Sequence, residues 1–470
     1  WLKLKPQLLR LNPAPPRGPW PQEGTGKEMR TSAGMQSLAC LAQLLAALAG
    51  GPTRDEKGPQ AIFGPQALLR GAPGPGPNKL AQLPPMGWMS WEIFRCQVDC
   101  AKYGSSCVDH KLYEQIADRM AADGYLEAGY NHVSIDDCWE NLGGRDGSGK
   151  LIPDPDRFPA GMKAVGDYLH SKGVLFGTYS DEGTKTCGGY PGSKGHEAAD
   201  AQTFAAWGVD YLKLDGCYND QPGYVVGYPA MGAALQGSGR NITYSCSWPA
   251  YLGSNESAKP FGAMIDAGCN SWRNWADIEC NWGSLSSIID HWGDYGSALA
   301  PYAGPGHWHD MDMLLIGSHC LTHDEERTQM AIWSISASPL FMGNDLRNVS
   351  EESKAILLNR DAIAVSQDAL GKMGVRLPGY GSSSPTQVWS RPLAKGDVAV
   401  ALYNKAGGPA ADITVSFSLL GLAGHVAVYD IWAHRELGIF AAAYTVPGVP
   451  LHGSAFLRLS PQPAAASVLV

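Results

Sequence analysis

Between Pro84 and Leu346 short apolar runs alternate with amphipathic ones eight times, and this rhythm restricts the fold more than any other feature of the chain. Met86–Trp91, His132–Asp136, Val174–Tyr179, Asp210–Leu214, Ile242–Cys246, Asn270–Trp275, Ala303–Trp308 and Pro339–Met342 read as strands. His110–Ala121, Gly161–Lys172, Glu197–Trp207, Gly227–Leu235, Leu285–Trp292 and Thr322–Ala337 read as helices between them. In the first of these, Leu112, Ile116 and Met120 fall one turn apart, and Tyr113 and Ala117 widen the face. Eight strand–helix units in about 260 residues predict an α/β fold, a (β/α)8 TIM barrel. A doubly wound open sheet is the alternative, but no Gly-x-Gly-x-x-Gly follows a first strand.

After Gln367 the rhythm changes. Asp397–Asn404, Asp412–Ser418, His425–Trp432 and Ala455–Leu459 are β-rich and separated by Gly, Pro and Ala turns, which predicts a C-terminal antiparallel β-sandwich domain. The expected division is a barrel over 81–370 and a β domain over 371–470. Residues 1–80 read as neither. Trp1–Glu28 is Pro-rich without periodicity, and is expected to be disordered or foreign to the protein. From Met29 a charged start, an apolar run over 38–49 and an Ala47-Leu48-Ala49 end predict a secretory signal peptide, too short to span a bilayer. Gly50–Leu80, with Gly-Ala-Pro-Gly-Pro-Gly-Pro at 71–77, reads as a linker.

Eight of the 11 cysteines lie between Cys96 and Cys269 without a paired C-x-x-C set, so disulfides are expected rather than zinc. Sequons at Asn241, Asn255 and Asn348 fit glycosylation on the same secretory route. A net charge of −9 leaves no basic surface for nucleic acid. No later segment is apolar enough for stable membrane insertion.

The chemistry is expected at the C-terminal ends of the barrel strands. Val209–Cys217 runs as a buried strand that stops at Asp215 before Gly216. Asp136, Asp137, Asp181, Asp277, Asp310 and Asp312 also fall at or just past strand ends. With Trp88, Trp91, Trp139, Trp248, Trp272 and Trp308 they would form a rim of acids and aromatic faces, which suits a sugar better than a phosphate. Glycoside hydrolysis needs two carboxyl groups facing each other across such a pocket. His307-x-His309 with Asp310 and Asp312 also invites a metal reading, but no third suitably spaced His appears. A serine nucleophile lacks its Gly-x-Ser-x-Gly elbow. No metal and no cofactor are expected.

Met86-Gly87-Trp88, Trp91-Glu92, Ile135-Asp136-Asp137-Cys138-Trp139, Lys213-Leu214-Asp215-Gly216-Cys217, Ser245–Tyr251, Trp272-Arg273-Asn274 and Asp310-x-Asp312-Met313 resemble glycoside hydrolase family 27. That family contains α-galactosidases and α-N-acetylgalactosaminidases. The resemblance implies a retaining double displacement with Asp215 as nucleophile and Asp277 as acid/base. It implies sugar contacts from Trp91, Asp136, Asp137, Tyr179, Lys213, Tyr251, Arg273, Asp312 and Met313. Lys213, two residues before Asp215 on the same strand face, would also favour the charged form of Asp215. The implied disulfides are Cys96–Cys138, Cys100–Cys107, Cys187–Cys217 and Cys246–Cys269, with no partner assigned to Cys280 or Cys320.

Ser247 and Ala250 are small where galactose-preferring relatives carry a larger acid and a larger apolar residue. This resembles the N-acetylgalactosaminidase pattern, with residual α-galactosidase activity expected. The implied partners are terminal α-N-acetylgalactosamine or α-galactose glycoconjugates: glycolipids, glycoproteins or oligosaccharides. A homodimer in the lysosome, or a secreted one, is implied in the same way. The alternatives are an α-galactosidase and, from another class, a non-catalytic sugar-binding protein. Two features depart from the family pattern: Thr184-Lys185-Thr186 replaces a sequon, and His309 and Met311 replace Asn and Pro beside Asp312.

Overall fold

The computed structural model describes residues 78–463, so the expected disordered or foreign stretch Trp1–Glu28, the expected signal peptide and nearly all of the expected linker lie outside the described residues. Eight strands form a parallel sheet: β1 (Met86–Met89), β2 (His132–Ser134), β3 (Leu175–Asp181), β4 (Tyr211–Asp215), β5 (Thr243–Cys246), β6 (Ser271–Arg273), β7 (Trp308–Asp310) and β8 (Leu340–Met342). Neighbours follow chain order from β1 to β7, and β8 lies on the free side of β1. The ring closes just past β7, where Leu314 bridges to Met342. There the Leu314 N–H donates to the Phe341 carbonyl at 2.7 Å, and the Gly343 N–H donates to the Leu314 carbonyl at 2.9 Å.

The strands pack too closely for side chains at two points. A Cβ on Gly87 would lie 2.6 Å from the His132 carbonyl oxygen, and one on Gly177 would lie 2.7 Å from Ser134 Oγ. His132, Tyr211 and Phe341, from β2, β4 and β8, fill the barrel as one layer, with the Tyr211 and Phe341 rings 5.1 Å apart. Alternate strands supply such layers in barrels of this kind. Lys213 stands two residues beyond Tyr211 on β4 and so emerges above that layer on the same side.

Where the elements differ from expectation, local geometry explains the difference. The helix expected at Gly227–Leu235 runs from Gln221 to Gly237, and Asp220 caps it by accepting the Gly223 N–H at 2.9 Å. Its glycines disguise it in the sequence but serve packing. A Cβ on Gly227 would lie 1.6 Å from Glu182 Oε1, and one on Gly232 would lie 1.9 Å from the Ala267 carbonyl. β7 begins at Trp308 rather than Ala303 because Gly304–His307 closes a tight turn first. That shift carries Asp310 to the strand end.

The remaining strands are β9 (Val375–Arg376), β10 (Thr386–Pro392), β11 (Val398–Asn404), β12 (Ala410–Ser416), β13 (Val426–Asp430), β14 (Arg435–Phe440), β15 (Ala443–Pro450) and β16 (Ser454–Pro461). Six form one sheet in the order β14-β13-β16-β11-β10-β9, and β12 pairs with β15 in a second. Strands β9, β10, β14 and β15 were not expected; β14 and β15 are largely solvent-facing and carry weak apolar alternation. β11 shows how the region docks. Val398, Val400 and Leu402 join Ile413 and Val415 inside the sandwich, while Ala399, Ala401 and Tyr403 join the barrel's apolar cluster. The buried Arg391 donates from Nη1 to the carbonyls of Ser334 (2.7 Å) and Ser366 (3.1 Å) across the same junction.

Disulfides join Cys96–Cys138, Cys100–Cys107, Cys187–Cys217 and Cys246–Cys269, the four pairs implied by resemblance, and also Cys280–Cys320. Among the described residues, no helix is long and apolar enough to cross a membrane.

Candidate active site

Asp215 is the last residue of β4, in register with Asp181 at the end of β3. Its carboxylate accepts three hydrogen bonds. Tyr251 Oη donates to Oδ1 at 2.6 Å, the Gly216 N–H to Oδ1 at 3.1 Å, and Tyr179 Oη to Oδ2 at 3.2 Å. Tyr179 comes from β3, and Tyr251 from the helical turn Trp248–Leu252 after β5, so three neighbouring strand ends fix one side chain. The Cys187–Cys217 bridge lies against it, with Cys187 Sγ 3.5 Å from Asp215 Oδ2.

Asp181 is fully buried beneath this group. It accepts the N–H of Gly183 at 2.7 Å and of Cys217 at 3.0 Å, and so ties the loop after β3 to the loop after β4. Burial, reinforced by the charge of Asp215, pushes its carboxyl well above the ordinary range. Gly183 has to be glycine, because a Cβ there would lie 1.7 Å from the Cys217 carbonyl oxygen.

Lys213 does not pair with Asp215. Its Nζ lies 2.7 Å from Asp136 Oδ2, and 5.4 Å from the centre of the Tyr179 ring. Burial opposes its charge, but Asp136 and then Asp215 outweigh burial and hold the ammonium above its usual pKa. Asp136 is positioned in turn by its N–H, which donates to Ser90 Oγ at 3.0 Å. Asp137 accepts the N–H groups of Cys138 and Gly188, both at 2.6 Å, and burial pushes its carboxyl up to about 6.

Across the barrel, Arg273 ends β6 and divides its guanidinium. Nη2 lies 2.8 Å from Asp312 Oδ2 and 3.0 Å from Asp277 Oδ1, and it donates to the Ala276 carbonyl at 3.0 Å. Asp312 is buried and also accepts the Ile278 N–H at 2.8 Å, whereas the Asp277 side chain is 45% exposed. Asp310 accepts the Asp312 N–H at 2.8 Å, and burial raises its own carboxyl to about 6. Lys213, Arg273, Asp310, Asp312 and Met313 line one cleft floored by Tyr211 and Phe341.

The two departures beside Asp312 leave this arrangement intact. Met311 has the backbone N–H that proline lacks, and donates it to Ser338 Oγ at 3.0 Å. His309 is engaged at both ring nitrogens, Nδ1 with Trp272 Nε1 at 2.8 Å and Nε2 with the Leu299 carbonyl at 2.9 Å. Burial lowers its pKa to about 4. Its ring therefore fills a structural role and offers no free nitrogen to a cation.

Ser247 and Ala250 lie on the segment that joins β5 to Tyr251. The buried Ser247 donates its N–H to the Leu214 carbonyl at 2.9 Å, which fixes it beside the strand that carries Asp215. Ala250 is half-buried and donates its N–H to the Ser247 carbonyl at 3.0 Å. The tryptophan rim requires correction. Trp88, Trp139, Trp272 and Trp308 are wholly buried and Trp248 nearly so, each packed as core; Trp91 alone of the six is half-exposed.

Sequence reasoning assigned no role to Ser90, Asp181 or Glu92. Asp181 was visible as a strand-end acid, and Glu92 adjoins Trp91 in a quoted motif. The Glu92 side chain is 1% exposed, with neither oxygen hydrogen-bonded and Arg95 Nη2 at 3.6 Å. Burial pushes its carboxyl up to about 8, against the pull of Arg95.

Residues 83–368 match the family model described as alpha galactosidase A, and 383–459 match the alpha galactosidase C-terminal beta sandwich domain. The chain is 46% identical to the α-N-acetylgalactosaminidase of Gallus gallus over 345 residues, covering 73% of this chain and 84% of that protein. It is also 46% identical to α-galactosidase A of Homo sapiens over 347 residues, covering 73% and 79%. Among solved structures, α-galactosidase I from Mortierella vinacea superposes with a TM-score of 0.73 at 32% identity, covering 83% of this chain and 100% of that one. With two domain models matched in order and relatives of this similarity, the chain belongs to glycoside hydrolase family 27 and is a glycoside hydrolase.

Proposed function

We propose that this enzyme removes terminal α-linked N-acetylgalactosamine by a retaining double displacement, with lower activity on α-galactosides. Asp215 attacks the anomeric carbon while Asp277 gives its proton to the departing glycosidic oxygen. The resulting glycosyl–Asp215 ester is hydrolysed by a water that Asp277 deprotonates, which restores both groups and retains configuration. Tyr179 and Tyr251 aim the Asp215 carboxylate. Asp136, Asp137, Lys213, Arg273 and Asp312 face the sugar hydroxyls, with Trp91 and Met313 against its apolar surface. A site built from buried charges rejects a sugar lacking a hydroxyl, because the unmatched groups stay desolvated and unpaired.

The observation that carries the acetamido preference is the small pair Ser247 and Ala250 beside the β4 strand end. Equal identity to a relative named for galactose keeps an α-galactosidase as the second reading. Side-by-side kcat/KM on aryl α-N-acetylgalactosaminide and aryl α-galactoside decides between them; the acetamido sugar is expected to win. Ser247→Glu with Ala250→Leu is then expected to move the preference toward galactose by about 10- to 200-fold, the worth of one pocket group. Unchanged selectivity would remove the pocket argument.

Passage through the secretory route, with residence in the lysosome or outside the cell, is supported by five disulfides and by exposed Asn241, Asn255 and Asn348 in their sequons. Endoglycosidase treatment of the secreted protein should lower its mass. Assembly as a homodimer is the family expectation, tested by sedimentation.

A further inference from the structure

We propose that the Cys280–Cys320 disulfide and the Arg95–Glu279 ion pair clamp the loop that carries Asp277 and hold it in position for proton transfer. This inference rests on reading Asp277 as the acid/base.

Residues 274–281 contain neither helix nor strand, and the Asp277 side chain they carry is 45% exposed. Upstream, Arg273 anchors the loop through its bonds to the Ala276 carbonyl and Asp277. Downstream, two tethers lie within three residues of Asp277. Glu279 Oε2 pairs with Arg95 Nη2 at 2.9 Å, and Arg95 sits just past the short helix Trp91–Phe94 that follows β1. Cys280 is bonded to Cys320, which lies beyond β7 on the segment that begins with Asp312 and Met313. The loops after β1 and β7 are therefore both tied to the loop after β6, at Glu279 and Cys280, within three residues of Asp277. The family pattern offered no partner for either cysteine, and the structure joins them to each other.

A general acid acts only within hydrogen-bond reach of the departing oxygen. Displacement of the loop should therefore harm substrates in proportion to their need for protonation. Cys280→Ser with Cys320→Ser is expected to lower kcat/KM about tenfold on a phenyl glycoside, out of the about 10²–10⁴-fold that a general acid contributes. On the 2,4-dinitrophenyl glycoside, whose leaving group departs unaided, the change should stay within about twofold. Glu279→Gln keeps the side chain's shape and weakens the Arg95 pair. It should show a smaller loss with the same selectivity, and it stands in if the cysteine variant does not fold. An equal loss on both glycosides, or no loss on either, overturns the clamp. Asp277→Asn is measured alongside. If Asp277→Asn is itself unselective, the acid/base reading fails; if it is selective and both clamp variants are not, only the clamp fails.

Discussion

Asp215 and Asp277 stand on unlike supports. Asp215 terminates a strand of the closed sheet and receives three hydrogen bonds, from β3, from the residue just past β4 and from the segment after β5, with a disulfide against it. Asp277 stands on an irregular loop, half-exposed, and shares one guanidinium with a buried competitor, Asp312. The difference matches what the proposed roles demand. A nucleophile works along one trajectory, so it gains from a rigid scaffold. An acid/base must lose and regain a proton within each cycle, which requires contact with solvent and an adjustable environment. Precision on that side has to come from tethers on the loop.

The largest expected effect tests the rigid side directly. Asp215→Asn should lower kcat/KM by about 10⁴-fold or more, as loss of a nucleophile does elsewhere, with sugar binding retained by calorimetry. Activity within tenfold of the parent enzyme would assign the nucleophile elsewhere. Tyr251→Phe comes next. Removal of its 2.6 Å bond to the carboxylate should cost about 10- to 100-fold, from about 1.5–3 kcal/mol for a hydrogen bond to a charged group, mainly in kcat. Tyr179→Phe, which removes the 3.2 Å bond, should cost less. If the two are equal, the aim of Asp215 does not depend on the shorter bond.

The smallest effect concerns stability on the Asp277 side, where Glu92 is buried beneath the Arg95 tether. Its carboxyl is raised from 4.5 to about 8, chiefly by burial, so between those values the folded protein binds more protons than the unfolded chain. Stability must then fall as pH rises through that window. Glu182, raised to about 9, and Asp137 and Asp310, each raised to about 6, add to the fall with the same sign. Glu92→Gln should flatten the decline in Tm between about pH 4.5 and about pH 8, with a higher Tm than the parent at the alkaline end. An unchanged slope would mean that Glu92 keeps its charge, paired to Arg95.

Much of the barrel was legible because its signals are local. The helix Glu197–Trp207 coincides with expectation, and Gly208, in the left-handed region, closes it within the same local stretch. The helix Gln221–Gly237 was half-hidden, because its glycines answer to Glu182 and Ala267, which approach from elsewhere in the chain. Exposed strands β14 and β15 escaped for the opposite reason: with little to bury, their side chains carry little pattern.

At the site, residue types and strand ends marked Asp136, Asp137, Asp215, Asp277 and Asp312 without any coordinates, because parallel strands of a closed barrel all end on one face. Only the tertiary structure decided who pairs with whom. Lys213 chose Asp136 over Asp215, Arg273 divided itself between Asp312 and Asp277, five of six tryptophans went into the core, and Cys280 found Cys320. Periodicity is written in neighbours a few residues apart. Ion pairs, burial and cross-links depend on distances between segments far apart in sequence, and those are defined only once the barrel has closed.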